Sequence, residues 1–189
     1  MFDDKRSKKL VLVAHCVLNQ NSIYDGTADF PSQFRQVVEL LIEHRVGIVQ
    51  LPCPELSCLG LDRKDRDGAR RELLAENTRI RGLMEEGRNV EKLRARADDI
   101  ATEVAEYRRH GFEVLGLIGI NRSPSCGVET TSRNGREEAG KGVFVAVIEE
   151  RLRALGIALG MTGVRTGNVA ESLDNVRELI RKGGATDRS

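Results

Sequence analysis

Residues 10–18 read LVLVAHCVL, five apolar residues in a row and then a histidine and a cysteine. A strand with one wet face alternates apolar and polar side chains, so a short unbroken run describes a strand covered on both faces, as in a parallel sheet. The pattern recurs at residues 48–51 (IVQL), 114–120 (VLGLIGI) and 157–161 (IALGM), giving four expected strands.

Helical patterns fall between them. After Pro31 and Ser32, the residues Phe34, Val37, Val38, Leu41 and Ile42 recur at three- and four-residue steps, with Gly47 as the stop. Residues 70–109 are highly charged and read as helix divided at Gly87 and Asn89, with Asn89 as N-cap. Their charges read as a solvated outer face around one apolar stripe, Leu93, Ala97, Ile100, Val104 and Tyr107. Residues 143–155 and 169–180 complete the helices, the last opened by Asn168 and Glu171 as a capping box. Residues 59–68 read as an exposed loop, and 130–141 as a loop or flap. The alternation predicts an α/β, Rossmann-like three-layer sandwich with a mostly parallel sheet, one domain over residues 1–189 with a core of about 8–182. It is not the dinucleotide-binding version, because HCVLNQNS after the first strand lacks the G-x-G-x-x-G turn.

The composition narrows the function. A net charge of +1 from 30 basic and 29 acidic residues gives no electrostatic case for a nucleic acid polymer or a membrane surface as partner. The apolar run after the charged N-terminus is too short for a signal peptide or a membrane span, so the protein is expected in the cytoplasm, as a monomer or homodimer. In a reducing compartment its 4 cysteines are expected to be free, metal-bound or catalytic.

Those cysteines fall in a pattern. Cys16 and Cys53 each lie two residues after an expected strand, and Cys126 lies six residues after the third. Strand ends of a parallel sheet share one edge, where ligands bind, so three distant thiols are expected to meet there. Pro52, Pro54 and Pro124 stiffen the backbone around them. Gly127 is read as leaving room, and a free N–H, for a bulky inorganic ligand. Three thiolates suit zinc completed by a fourth ligand, or a four-iron cluster with one iron open. Cys58 is the candidate fourth thiol and His15 a further candidate ligand. A zinc-stabilised binding module and a thiol enzyme with Cys126 as nucleophile, partnered by His15, His44 or His110, are the competing classes.

The motifs His15–Cys16 with Tyr24–Asp25–Gly26, then Cys53–Pro54–Glu55, then Ser123–Pro124–Ser125–Cys126–Gly127 resemble the thiouracil desulfidase family. The resemblance covers roughly residues 8–165. It implies a [4Fe–4S] cluster held by Cys16, Cys53 and Cys126, with a fourth iron that takes the sulfur of a small thiolated substrate, a thiolated nucleobase in that family. The chain departs from the family pattern at His15, where a small residue is usual, at Ser22 and Ile23, where a cysteine and an arginine are common, and at Cys58, where glycines follow C-P-E. Replacing sulfur by water needs a proton carrier, and Glu55, two residues from a thiolate, is the expected acid–base group, with Ser123 beside it. Asn121, Arg122, Ser125, Tyr24 and Arg165 are the expected substrate contacts.

Overall fold

Leu10, Val11, Leu12 and Val13 are all buried, and they bury in two directions. Leu10 and Leu12 join one apolar core while Val11 and Val13 join another, because successive strand side chains point to opposite faces. The computed structural model, which describes residues 2–22 and 34–183, places them on β1 (Lys9–Val13) inside a parallel sheet. Its order is β2 (Gly47–Gln50), β1, β3 (Glu113–Ile120), β6 (Met161–Val164). Helices α4 (Leu73–Met84), α5 (Gly87–Arg109) and α6 (Val143–Ala154) cover the first face, and α2 (Arg35–Glu43) and α7 (Val169–Gly183) the second. This is the expected three-layer α/β sandwich. Among the described residues no helix is long and apolar enough to cross a membrane.

The connection after β1 runs to the α2 face and the connection after β3 to the α6 face. The two strands are neighbours, so the chain parts in opposite directions between them, and a crevice opens at their carboxyl ends. Two short helices, α1 (His15–Leu18) and α3 (Pro54–Leu59), stand directly after β1 and β2 on that edge.

Several local expectations are corrected. Helix α2 ends before Gly47: Arg45 takes the left-handed turn (φ 55), and Gly47 opens β2. Asn89 does not cap α5. Glu86 is the N-cap, and the Asn89 amide reaches back to the Leu83 carbonyl at 2.8 Å. The last strand is Met161–Val164, in register with β3 from Leu117 onward, rather than residues 157–161. Only half of the expected capping box forms at α7: the Glu171 amide donates to Asn168 Oδ1 at 3.2 Å, while the Asn168 backbone N–H donates to the Arg165 carbonyl at 3.1 Å instead of to Glu171.

The largest correction is at residues 130–141, which form a hairpin of β4 (Thr130–Arg133) and β5 (Arg136–Ala139). Its two-residue turn, Asn134–Gly135, has φ of 53 and 71, the paired left-handed residues that suit strand twist. The hairpin lies on α4 and buries polar groups there that read as solvated in the sequence. Asn77 donates to Ser132 at 3.1 Å, and Arg81 to Thr131 at 3.1 Å and to the Lys141 carbonyl at 3.3 Å.

Candidate metal centre

Each cysteine is set by its own local device. Cys16 is the second residue of α1. Cys53 is the N-cap of α3, its sulfur accepting from the Leu56 amide at 3.4 Å, and Pro54 takes the first helical turn, where no N–H is missed. Cys126 sits in a turn after β3 whose hub is Ser123. The Ser123 hydroxyl accepts from the amides of Ser125 at 3.3 Å and Cys126 at 2.9 Å, while the Cys126 carbonyl accepts from Ile120 at 2.9 Å.

That turn is wedged between β3 and α6. A Cβ on Gly119 would come 2.3 Å from the Cys126 carbonyl oxygen, and one on Gly142 would come 2.4 Å from the Ser125 carbonyl carbon. The first amides of α6 are taken by the loop itself, Val143 donating to the Pro124 carbonyl at 2.9 Å and Phe144 to that of Ser125 at 3.0 Å. Gly127 corrects the sequence reading in its reason. Its N–H is used by the Ser123 carbonyl at 3.2 Å, and a Cβ there would meet the Thr130 carbonyl oxygen at 2.2 Å. Backbone crowding, not room for a ligand, requires the glycine.

The three cysteines line one cavity of about 270 Å³ together with Glu55, Ser123, Asn121 and Arg165. A larger groove of about 910 Å³ runs along β6 and α7. It holds no cysteine and shares only Asn121 and Arg165 with the first. Burial pushes the Cys53 thiol up to about 11, with Glu55 and Cys16 adding to the effect. Burial raises Cys126 as well, with Cys16, Cys53 and Glu55 adding. Both thiolates are thus disfavoured by burial first and by neighbouring negative charge second, and a positive group in the cavity would relieve both effects.

Cys58 is turned away. It is buried on α3 in the apolar core with Leu59, Ile80 and Met84 and does not line the cavity. His15 does line it, its ring held between the side-chain amides of Gln50 (3.1 Å) and Asn19 (3.0 Å), and burial lowers its pKa. His44 and His110 lie outside the cavity and bond the carbonyls of Leu40 and Glu106.

The remaining candidate residues divide. Glu55 is buried and accepts from the Ser125 hydroxyl at 2.8 Å; its other oxygen is ion-paired with Arg63. Ser125 is fully buried behind the cavity wall. Asn121 braces the hairpin, its Oδ1 accepting from Glu129 at 3.1 Å and Thr130 at 3.2 Å, and its amide donating to Gly163 at 3.2 Å. Arg165 is bound by Glu137, with Nη1 3.2 Å from Oε2. Arg122 lines the cavity from a left-handed backbone (φ 71). Tyr24 and Asp25 lie outside the described residues. Arg63 is the residue that sequence reasoning missed: it stands in a run of charges, DRKDRD, with nothing local to single it out.

Fold and site together define an α/β protein that gathers three thiols and a carboxylate at the carboxyl edge of a parallel sheet. The chain belongs to the 2-thiouracil desulfurase family, whose family model matches residues 11–157. An uncharacterised protein of Methanocaldococcus jannaschii is 31% identical over 123 residues, which is 65% of this chain and 70% of that protein. A solved structure of the [4Fe-4S]-dependent thiouracil desulfidase TudS is similar at 18% identity and a TM-score of 0.42, over 90% of this chain and 99% of that one.

Proposed function

We propose that this chain is a [4Fe–4S]-dependent desulfidase that releases sulfur as hydrosulfide from a small thiocarbonyl compound, a thiolated nucleobase being the first candidate. Water supplies the oxygen that replaces sulfur at carbon, so no electrons are gained or lost. The observation that carries the reading is the convergence of Cys16, Cys53 and Cys126, from three separate strand ends, on one cavity.

The donor set fits such a cofactor. It is sulfur alone, which suits soft metals and iron–sulfur groups. The burial of Cys58 leaves a four-cysteine zinc site without its fourth thiol. When held by the three thiolates, a cluster supplies positive charge that relieves their repulsion and one iron without a protein ligand, a Lewis acid for a thiocarbonyl sulfur.

The rest falls to this chain's side chains. Glu55, held in place by Ser125 and Arg63, takes a proton from the attacking water and returns it to the departing sulfur. The Ser123 hydroxyl, already an acceptor for two amides, has its own hydrogen to give to a substrate atom in the cavity. Leu61, Leu73 and Ile120 supply apolar wall.

Anaerobic reconstitution with iron and sulfide tests the reading. A brown protein with about four irons and four acid-labile sulfides, releasing one sulfide per uracil formed from 2-thiouracil, is the expected result. An iron-loaded protein that releases no sulfide from thiolated pyrimidines, purines or simple thioamides would sink it.

A further inference from the structure

We propose that Arg63 is the positioning residue for the Glu55 carboxylate, an inference that rests on the acid–base reading of Glu55. The ion pair between them is largely shielded, with side-chain exposures of 13% for Arg63 and 12% for Glu55. Ser125 donates to Oε1 and Arg63 binds Oε2, so the carboxylate is clamped at both oxygens and cannot swing about its last torsion. The clamped group lines the same cavity as Cys53 and Cys126.

The loop that delivers Arg63 is built at a cost. Arg63 and the following Lys64 both hold left-handed backbone, φ 49 and 62, a conformation that crowds any residue carrying a Cβ. Such strain persists only where surrounding contacts enforce it, and here they do. Arg79 donates to the Arg63 carbonyl at 3.1 Å and is itself gripped by the buried Glu76 at 2.9 and 2.6 Å. Arg71 ties Glu76 to Asp65, farther along the same loop, at 3.1 and 2.5 Å. A line of contacts thus runs from α4 through the loop backbone to the guanidinium and on to Glu55. Of the charges in residues 62–72, Asp65 and Arg71 serve that turn.

Four proteins test the inference: Arg63→Gln, Arg63→Lys, Glu55→Gln and the double variant Arg63→Gln/Glu55→Gln. After anaerobic reconstitution the Arg63→Gln protein should keep its iron and visible spectrum, because no thiol is touched. Its kcat for sulfide release should fall about 10²-fold with KM little changed, the scale of a misplaced catalytic group. Lysine should restore part of that loss, since it returns the charge without the fork. The double variant should be no slower than Glu55→Gln alone, because a residue acting through another adds nothing once the other is gone. Wild-type kcat in Arg63→Gln, losses that multiply in the double variant, or iron lost from Arg63→Gln would each overturn the assignment. The pairing is also read without any cluster: in metal-free protein the melting-temperature losses of the two single variants should sum to more than the loss in the double. Additive losses would overturn the pairing even if the protein releases sulfide, and sub-additive losses support it even if the desulfidase reading fails.

Discussion

The Ser125 hydroxyl donates to Glu55 Oε1 at 2.8 Å across 70 residues of sequence, with both side chains buried. The bond joins the turn that carries Cys126 to the helix that follows Cys53. It therefore ties together the two segments that carry these cysteines and holds one oxygen of the carboxylate. Ser125→Ala removes a donor from a buried carboxylate and should lower the stability of the metal-free protein by about 2 kcal/mol, the scale of a hydrogen bond to a charged group. Urea unfolding measures it. Unchanged stability would show that the bond contributes nothing to holding the two segments.

Gly142 offers a purely steric test of the Cys126 turn. Its φ is −65, so alanine meets no backbone penalty there, yet a Cβ would lie 2.5 Å from the Ser125 carbonyl oxygen and 2.7 Å from the Cys126 nitrogen. Backbone atoms cannot turn aside as a side chain can. Gly142→Ala should cost about 2 kcal/mol and lower iron loading, because the turn must shift. Gly82, with nothing within 4 Å of its Cβ position, is the control, and alanine there should stabilise α4 by about 0.8 kcal/mol. Full iron loading in Gly142→Ala would show that the thiol tolerates a displaced turn.

Glu76 sets an acid limb to the stability curve. Hydrogen bonding from Arg79, then its charge and the bond from Arg71, hold the carboxyl below its ordinary 4.5 against the opposing effect of burial. A folded-state pKa below the unfolded one means that the contribution is complete above about pH 4.5 and is lost as pH falls through the lower folded value. Metal-free protein should thus lose stability as pH falls below about 4.5. Glu76→Gln should be weaker by about 2 kcal/mol at pH 7 and show a shallower acid limb. Parallel pH curves for the two proteins would remove Glu76 from the account.

What could be read from the sequence was what local patterns encode. Continuous apolar runs gave β1 and β3, because a strand buried on both faces leaves that trace in the chain itself, and cysteines placed after strands brought the three thiols to one edge. The four-residue β6 (MTGV) was misplaced because its neighbours IALGM are the more apolar, and only register against Leu117 selects it. The hairpin was missed for want of alternation, although Asn134–Gly135 carries its turn signal. Asn77 and Arg81 read as solvated because nothing in α4 announces the hairpin that covers them. The contacts of Glu55 with Ser125 and Arg63 are tertiary, and residue types alone do not reveal them.

The ligand set is separated by two cysteines that differ only in which way they face. Cys126 lines the cavity, while Cys58 is 7% exposed in the apolar core beneath α3. Cys58→Ala removes a small buried group at a cost of about 1 kcal/mol and should leave iron content, colour and sulfide release intact. Cys126→Ala removes one of three donors and should abolish iron loading, with circular dichroism unchanged if the chain folds without its metal. Cys16→Ala and Cys53→Ala should behave as Cys126→Ala does. Iron analysis after anaerobic reconstitution decides among them. Equal loss of iron in Cys58→Ala and Cys126→Ala would require α3 to turn its buried face outward when metal binds. It would also give every iron a protein thiolate, closing the site through which a substrate sulfur is proposed to act.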